Sequence, residues 1–279
     1  MRNLRLIIEY DGTYFNGFQK QTLPGMVTVQ NRLEEALAKI LNEPVKTVVA
    51  GRTDTGVHAV AQVVSFRTSS PRPAGEIKHA LNALLHGAMA IHSVDEMPLR
   101  FHARFSARSR LYHYYILNRE EPPSLGRSYL HHVRHPLDIE KMREASRFLE
   151  GEHDFTAFST SIKEVKTAIR KIEHINILQG THCAEKGKIL YVPFEALYRE
   201  GIILVELKAN SFLRSMVRMI VAVLVRAGLG KMEPREVSRI LAEKNPGLIH
   251  TPAPPEGLFL VKVDYQEGDS GSLRENNVP

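Results

Sequence analysis

Leu4, Leu6 and Ile8 alternate with Arg5, Ile7 and Glu9, a period of two that predicts a strand running into the turn pair Asp11-Gly12. After a loop from Tyr14 to Gly25 the period changes. From Val29 the apolar residues Leu33, Ala36, Leu37, Ile40 and Leu41 fall on one helical face, with Thr28 as cap and Pro44 as stop. Thr47 to Ala50 and Ala61 to Phe66 read as strands, Glu76 to Leu85 as a helix and Ala88 to Ser93 as a strand. The first hundred residues therefore predict the order β-α-β-β-α-β.

Met97 to Arg108 has no clean period and reads as a crossing between halves. Alternation resumes at Arg110: Arg110, Tyr112, Tyr114 and Ile116 share one face, Leu111, His113, Tyr115 and Leu117 the other. Asp138 caps a helix with the face Ile139, Met142, Ala145 and Leu149, stopped by Gly151. Ile169 to Leu178 and Ile202 to Leu207 read as strands around a polar insertion, Thr181 to Lys188, within a longer connection that reaches Glu200. A long helix from Phe212 to Ala227, a short one near Pro234 and a strand from Leu258 to Asp264 complete the pattern. The second half again reads β-α-β-β-α-β, with one extra helix.

The fold class expected is α+β: two ferredoxin-like βαββαβ halves whose sheets join edge to edge into one extended mixed, mainly antiparallel sheet, with helices on one face and a central cleft. The halves are residues 1–106 and 107–265, and the polar stretch 266–279 reads as a disordered tail.

Composition narrows the function classes. Apolar content of 43% with 24% charged residues is that of a globular chain. No apolar run approaches the roughly 20 residues of a membrane span, and the N-terminus enters a strand pattern in place of a signal peptide, so a cytoplasmic location is expected. Single Cys183 excludes an intramolecular disulfide and a zinc site built on several thiolates. Lys and Arg number 37 against 31 Asp and Glu, a net charge of +6 that makes a polyanionic partner plausible. Neither Gly-rich nucleotide fingerprint occurs, and His131, His132 and His135 lack neighbouring ligands at metal spacing. No metal or organic cofactor is expected.

One stretch concentrates candidate chemistry: Gly51-Arg52-Thr53-Asp54-Thr55-Gly56-Val57-His58-Ala59, directly after the strand-like Val48-Val49-Ala50. An acidic residue between glycines at a strand end is equally the composition of an ordinary turn and of a site. Asp54-Thr55-Gly56 is the triplet with which aspartic proteases present a carboxylate. Here, however, it occurs once, among alternating helices, and Arg52 two positions away favours the ionised form. An ionised carboxylate needs a cation to aim it. Asn210, Arg214 and Arg218 lie four apart along the predicted long helix, so the two arginines would share a face; because that helix is apolar on most sides, a buried arginine there wants a carboxylate partner. Site and structural ion pair both fit that spacing. Tyr112 and Tyr114, flanked by Arg104, Arg108 and Arg110, suit stacking on an exposed base and gripping its phosphates, or ordinary strand packing.

Taken together, these residues resemble bacterial tRNA pseudouridine synthase A. The ordered motifs are Glu9-Tyr10-Asp11-Gly12, Gly17-Phe18-Gln19, Ala50 to Asp54 with Gly56-Val57-His58, Phe101 to Ala107, and Tyr112-His113-Tyr114. Asp154 to Phe158, Asn210-Ser211-Phe212, Met216-Val217-Arg218 and Glu256-Gly257-Leu258 follow. The resemblance implies isomerisation of uridines 38, 39 and 40 in the tRNA anticodon stem-loop, without cofactor, by a homodimer of the pseudouridine synthase fold. It implies Asp54 as catalytic nucleophile or base, Tyr112 stacked on the target uracil, Arg218 paired with Asp54, Arg52 splaying the tRNA and Leu258 packed beneath the base. Tyr114, Phe212, Lys20, Arg104 and Arg110 complete the expected substrate-binding set. Asn82-Ala83-Leu84-Leu85-His86 departs from the Asn-Ala-Asn-Leu-Pro frequent in relatives. A non-catalytic RNA-binding protein on the same scaffold would keep Arg104, Arg108 and Tyr112 without needing Asp54.

Overall fold

The computed structural model describes residues 1–21, 25–161, 166–180 and 201–266; Cys183, the insertion 181–200 and the tail from 267 lie outside them. The described residues divide into two compact units, one of Met1–Ser109 with the chain from Val261 to Gln266, the other within Arg110–Leu260.

The first unit runs β1 (Arg2–Tyr10), α1 (Val29–Leu41), β2 (Thr47–Val49), β3 (His58–Thr68), α2 (Ala74–Leu85) and β4 (Met89–Met97). Its strands lie in the order β4-β1-β3 with β2 on the far side of β3, every neighbouring pair antiparallel. That is the split βαβ arrangement, in which β1 is flanked by strands later in the chain. Leu4, Leu6 and Ile8 are fully buried. Between them the Arg5 guanidinium is buried too, and is satisfied by the Asp95 carboxylate at 2.9 Å on β4. The Thr28 hydroxyl accepts from the Asn31 N–H at the start of α1, and Leu33 and Leu37 face inward. The helix ends before Pro44 is reached, because Asn42 takes the left-handed conformation at φ 53°.

The second unit holds β5 (Ala107–Asn118), β6 (His131–Val133), α3 (Ile139–Arg147), β7 (Gly151–Asp154), β8 (Ile169–Gln179), β9 (Ile202–Ala209), α4 (Met216–Gly228), α5 (Glu236–Glu243) and the start of β10 (Leu258–Tyr265). Strands β5-β9-β8-β7 are antiparallel neighbours, β6 lies parallel to β5, and β10 also borders β5. Setting β6 and β7 aside, the order β10-β5-β9-β8 repeats that of the first unit. Both faces of β5 are covered, Tyr112, Tyr114 and Ile116 on one side and His113, Tyr115 and Leu117 on the other. The mixed α+β class with mainly antiparallel strands is thus as expected.

Two helix boundaries in the second unit differ from the sequence pattern in ways that bear on its side chains. Helix α3 stops at Arg147, and Gly151, at φ +93°, opens β7 instead of closing the helix; Gly-Glu-His-Asp offers no apolar alternation by which that strand could be read. Helix α4 starts at Met216, because Ser215 adopts φ 59° and breaks the right-handed path. Phe212 and Arg214 therefore precede the helix. No described helix is long and apolar enough to cross a membrane.

Candidate functional site

The stretch between β2 and β3 in the first unit is held along nearly its whole backbone. The Ala50 N–H donates to the Val63 carbonyl at 2.9 Å, and Gln62 Nε2 donates to the Gly51 carbonyl at 2.7 Å. The Thr53 carbonyl accepts from the Phe18 N–H at 3.1 Å, while its hydroxyl shares a 2.8 Å hydrogen bond with the Tyr10 phenol. Asp54 and Val57 close a four-residue turn, Val57 N–H to Asp54 carbonyl at 3.2 Å, with Gly56 at φ +78° in its third position.

Two glycines distant in sequence press on this turn. A Cβ on Gly12 would collide with the Val57 carbonyl and lie 2.7 Å from the Gly56 carbonyl carbon; one on Gly17 would lie 2.9 Å from the Thr53 carbonyl oxygen. The Gly12 N–H lies 3.0 Å from His58 Nδ1, and the Asp11 carboxylate lies 3.2 Å from the same nitrogen. Tyr10 is buried between Phe15 and Phe18, with ring centroids at 6.1 and 6.3 Å. Burial pushes its phenol up to about 12 against the opposing hydrogen bonds from Thr53 and Gln62, so it stays protonated at neutral pH. Within this frame Asp54 is half-buried while Arg52 and Thr55 are exposed. The backbone is immobilised and the carboxylate keeps access to solvent, which is what presentation of a reactive carboxylate requires.

In the second unit, Tyr112 is 6% exposed, lies opposite Leu207 of β9 and packs edge-on against Phe212 at 5.1 Å. Arg218, in the first turn of α4, donates from Nε to the Ala253 carbonyl at 2.6 Å, and the Ala253 N–H returns to the Arg218 carbonyl at 3.0 Å. The strap before β10 is thereby tied to the helix. Leu258, at the start of β10, is 5% exposed.

Other expected residues fall in different settings. Tyr114 is wholly buried, and its hydroxyl donates to the Pro254 carbonyl at 2.8 Å. Burial first, then the Glu256 charge, hold its phenol well above 10 against the opposing charge of Arg218. It props the strap and has no exposed surface, whereas Tyr112 on the same face is 6% exposed. Arg110 is also buried and donates to the Asn210 carbonyl at 2.7 Å. Lys20 and Arg104 are exposed. Arg214 is exposed ahead of α4, and Asn210 follows the end of β9; the shared helical face expected for Asn210, Arg214 and Arg218 does not exist, since Ser215 separates them. His131 is packed edge-on against Tyr114 at 5.9 Å, with its pKa lowered to about 4 by burial and by His132. Among the described residues no group of His, Cys, Asp and Glu could hold a metal ion.

Tyr10, Gly12, Gly17, His58 and Gln62 are the residues that residue-type reasoning did not assign. Tyr10 and Gly12 carried a signal only in the motif Glu9 to Gly12, Gly17 only in Gly17 to Gln19 and His58 only in Gly56-Val57-His58, while Gln62 lies in none of the motifs; the purpose of each needs the fold to be seen.

Comparison with known proteins is specific. The family described as tRNA pseudouridine synthase matches residues 6–106 and 145–266. A protein named tRNA pseudouridine synthase A from Pseudothermotoga lettingae is 40% identical over 95% of this chain and 100% of its own length. Its namesake from Thermoanaerobacter sp. is 39% identical over the same shares, and tRNA pseudouridine synthase A 2 of Clostridium perfringens 40% identical over 95% and 100%. Likeness to solved structures is far lower: against a chain of the archaeal box H/ACA sRNP Nop10-Cbf5 complex, TM-score 0.34 and 11% identity over 80% of this chain and 42% of that one.

Proposed function

The chain belongs to the tRNA pseudouridine synthase family, and from that premise we propose that it isomerises uridines 38, 39 and 40 in the anticodon stem-loop of tRNA with Asp54 as the catalytic carboxylate. The observation that carries the residue assignment is the clamped turn: hydrogen bonds from Gln62, Phe18 and Tyr10 on the residues before Asp54, and two glycines pressed against its backbone. A turn held this firmly around a half-exposed carboxylate supports a reactive group better than a plain connection, which needs no such frame.

The reaction breaks the C1′–N1 glycosidic bond of a uridine and makes a C1′–C5 bond from the same sugar carbon; C5 gives up its proton and N1 takes one up, so that the change is an isomerisation. The base must leave the helix stack, turn while detached and be captured again, so the site has to flip it and exclude water. Asp54 either attacks the sugar or base as a nucleophile or removes the C2′ proton. Tyr112, held edge-on by Phe212, stacks on the uracil, and Leu258 packs beneath it. Arg218 is the cation proposed to aim the Asp54 carboxylate by a charge-assisted bond. Arg52, exposed two residues before Asp54, reaches the displaced strand, where Lys20 and Arg104 add phosphate contacts. The enzyme works as a cytoplasmic homodimer; sedimentation at micromolar concentration checks the dimer.

Asp54→Asn and Asp54→Ala are expected to form no pseudouridine on unmodified tRNA while binding it nearly as the parent does. Pseudouridine mapping by chemical labelling gives the readout. Appreciable product from either variant removes Asp54 from the mechanism, and binding without any product from the parent protein favours an RNA-binding module.

A further inference from the structure

The geometry points to a second nucleotide site, distinct from the Asp54 turn: a stacking shelf made by Phe105 and His102 that takes one unpaired base of the tRNA. It rests on RNA being the substrate. Phe105 is 76% exposed, among the most exposed large apolar side chains described. A solitary exposed apolar residue needs no explanation, but this one is presented by a turn that is fastened at several points. Buried Ala103 donates its N–H to Ser65 Oγ at 3.1 Å and accepts from the Tyr265 hydroxyl at 2.7 Å. Asn3 Nδ2 donates to the carbonyls of Pro98 and Phe101, both at 2.9 Å. Strands β1, β3 and β10 thus fix the turn that holds the ring out to water.

The ring's neighbours suit a nucleobase. His102 stacks on Phe105 with centroids 4.4 Å apart and planes at 25°, and the exposed Arg104 side chain lies over the Phe105 ring, its guanidinium carbon 5.5 Å from the centroid, where an incoming base would displace it. His102 Nδ1 accepts from the backbone N–H groups of Arg104 and Phe105 at 3.3 and 3.2 Å, so the imidazole is locked in orientation with Nδ1 unprotonated. Exposed Arg67 and Arg100 sit on the adjoining strand and loop. A preordered aromatic face rimmed by cations matches an unstacked base with its flanking phosphates.

Phe105→Ala and Phe105→Trp test the shelf, with Leu84→Ala on the exposed side of α2 as control. Dissociation constants for an unmodified tRNA transcript are measured at several salt concentrations. Phe105→Ala is expected to weaken binding by about 5- to 100-fold, the range for loss of one base–aromatic stack, with the salt dependence retained because no phosphate contact is removed. Phe105→Trp restores affinity, and Leu84→Ala leaves it unchanged. Parent-like affinity of Phe105→Ala overturns the inference, as does a change of its sedimentation coefficient, which would make the ring a contact between copies. Pseudouridine formation by the parent protein is scored separately, so that loss of the shelf and loss of the proposed reaction give different results.

Discussion

The turn that carries Asp54 and the strand and helix that carry Tyr112 and Arg218 are held by different means. Around Asp54 the constraint is polar and acts on backbone: Gln62 on the Gly51 carbonyl, Phe18 on the Thr53 carbonyl, Tyr10 on the Thr53 hydroxyl, with two glycines leaving no space for the turn to shift. Around Tyr112 it includes an aromatic edge contact and a strand buried on both faces, and Arg218 is tied to a strap carbonyl. A backbone fixed by directional bonds positions the atoms attached to it to a fraction of an ångström, whereas an edge contact between rings is less directional. The first suits a group that reacts, the second a group that must admit a base, hold it and let it turn.

Gly12→Ala would break the comparison most severely. Its methyl has nowhere to go against the Val57 carbonyl, so either the turn moves or the chain unfolds locally. A cost of about 1–3 kcal/mol is expected from overpacking, and displacement of the carboxylate by about an ångström should lower turnover on the order of 100-fold. Gly75→Ala is the contrast: nothing lies within 4 Å of the added atom in α2, and helix propensity predicts a gain of up to about 1 kcal/mol. Urea midpoints with single-turnover rates measure both; parent-like turnover by Gly12→Ala would show that the clamp is not needed.

The two units should also differ in their response to pH. In the second, burial holds His131 at about 4, so the unfolded chain takes up this proton first. The stability tied to neutral His131 is complete above about pH 6.5 and is lost as pH falls toward 4, up to about 3 kcal/mol. His131→Leu should flatten that dependence, seen as a smaller change in urea midpoint between pH 7 and 4.5. In the first unit the raised Tyr10 phenol acts in the opposite sense: its contribution is complete below about pH 10 and is lost as pH rises toward about 12. Tyr10→Phe should cost about 1–2 kcal/mol at neutral pH through loss of the bond to Thr53, and the gap to the parent should close as pH passes 10. A constant gap across that range would mean that Tyr10 acts by packing alone.

Much of this was legible from residue order. Alternation and the 3.6-residue period located β1, α1, α2, β5 and β10, because each buries a continuous apolar stripe. What failed was local backbone geometry: the left-handed Ser215 is not marked by its residue type, the left-handed Asn42 stood in the shadow of Pro44 although Asn favours that conformation, and β7 pairs with β8 without an apolar side chain of its own. Period also placed Tyr112 and Tyr114 on one face without distinguishing them. That distinction comes from Pro254 and Gly257, more than 130 residues away, which close over Tyr114. The candidate carboxylate was visible as Asp54 between glycines, whereas its frame was not, since Gly12 and Gly17 act through space.

The weakest expected effect bears on how much freedom Tyr112 has. Phe212 meets it edge-on at 5.1 Å and is itself only half-buried, so Phe212→Ala should cost about 1 kcal/mol of stability, the range for an aromatic pair beyond its area. If packing rather than hydrogen bonding positions Tyr112, removing that edge widens the range of ring orientations while leaving the Asp54 turn intact. Substrate affinity should then weaken more than the rate of the chemical step, the pattern of lost uniform binding. Phe212→Leu, which refills much of the volume without an aromatic edge, separates the two contributions: recovery of stability without recovery of affinity assigns the effect to ring orientation. Equal recovery of both would reduce Phe212 to filler, and an equal loss in the rate of chemistry would show that Tyr112 needs a fixed geometry of the same kind as Asp54.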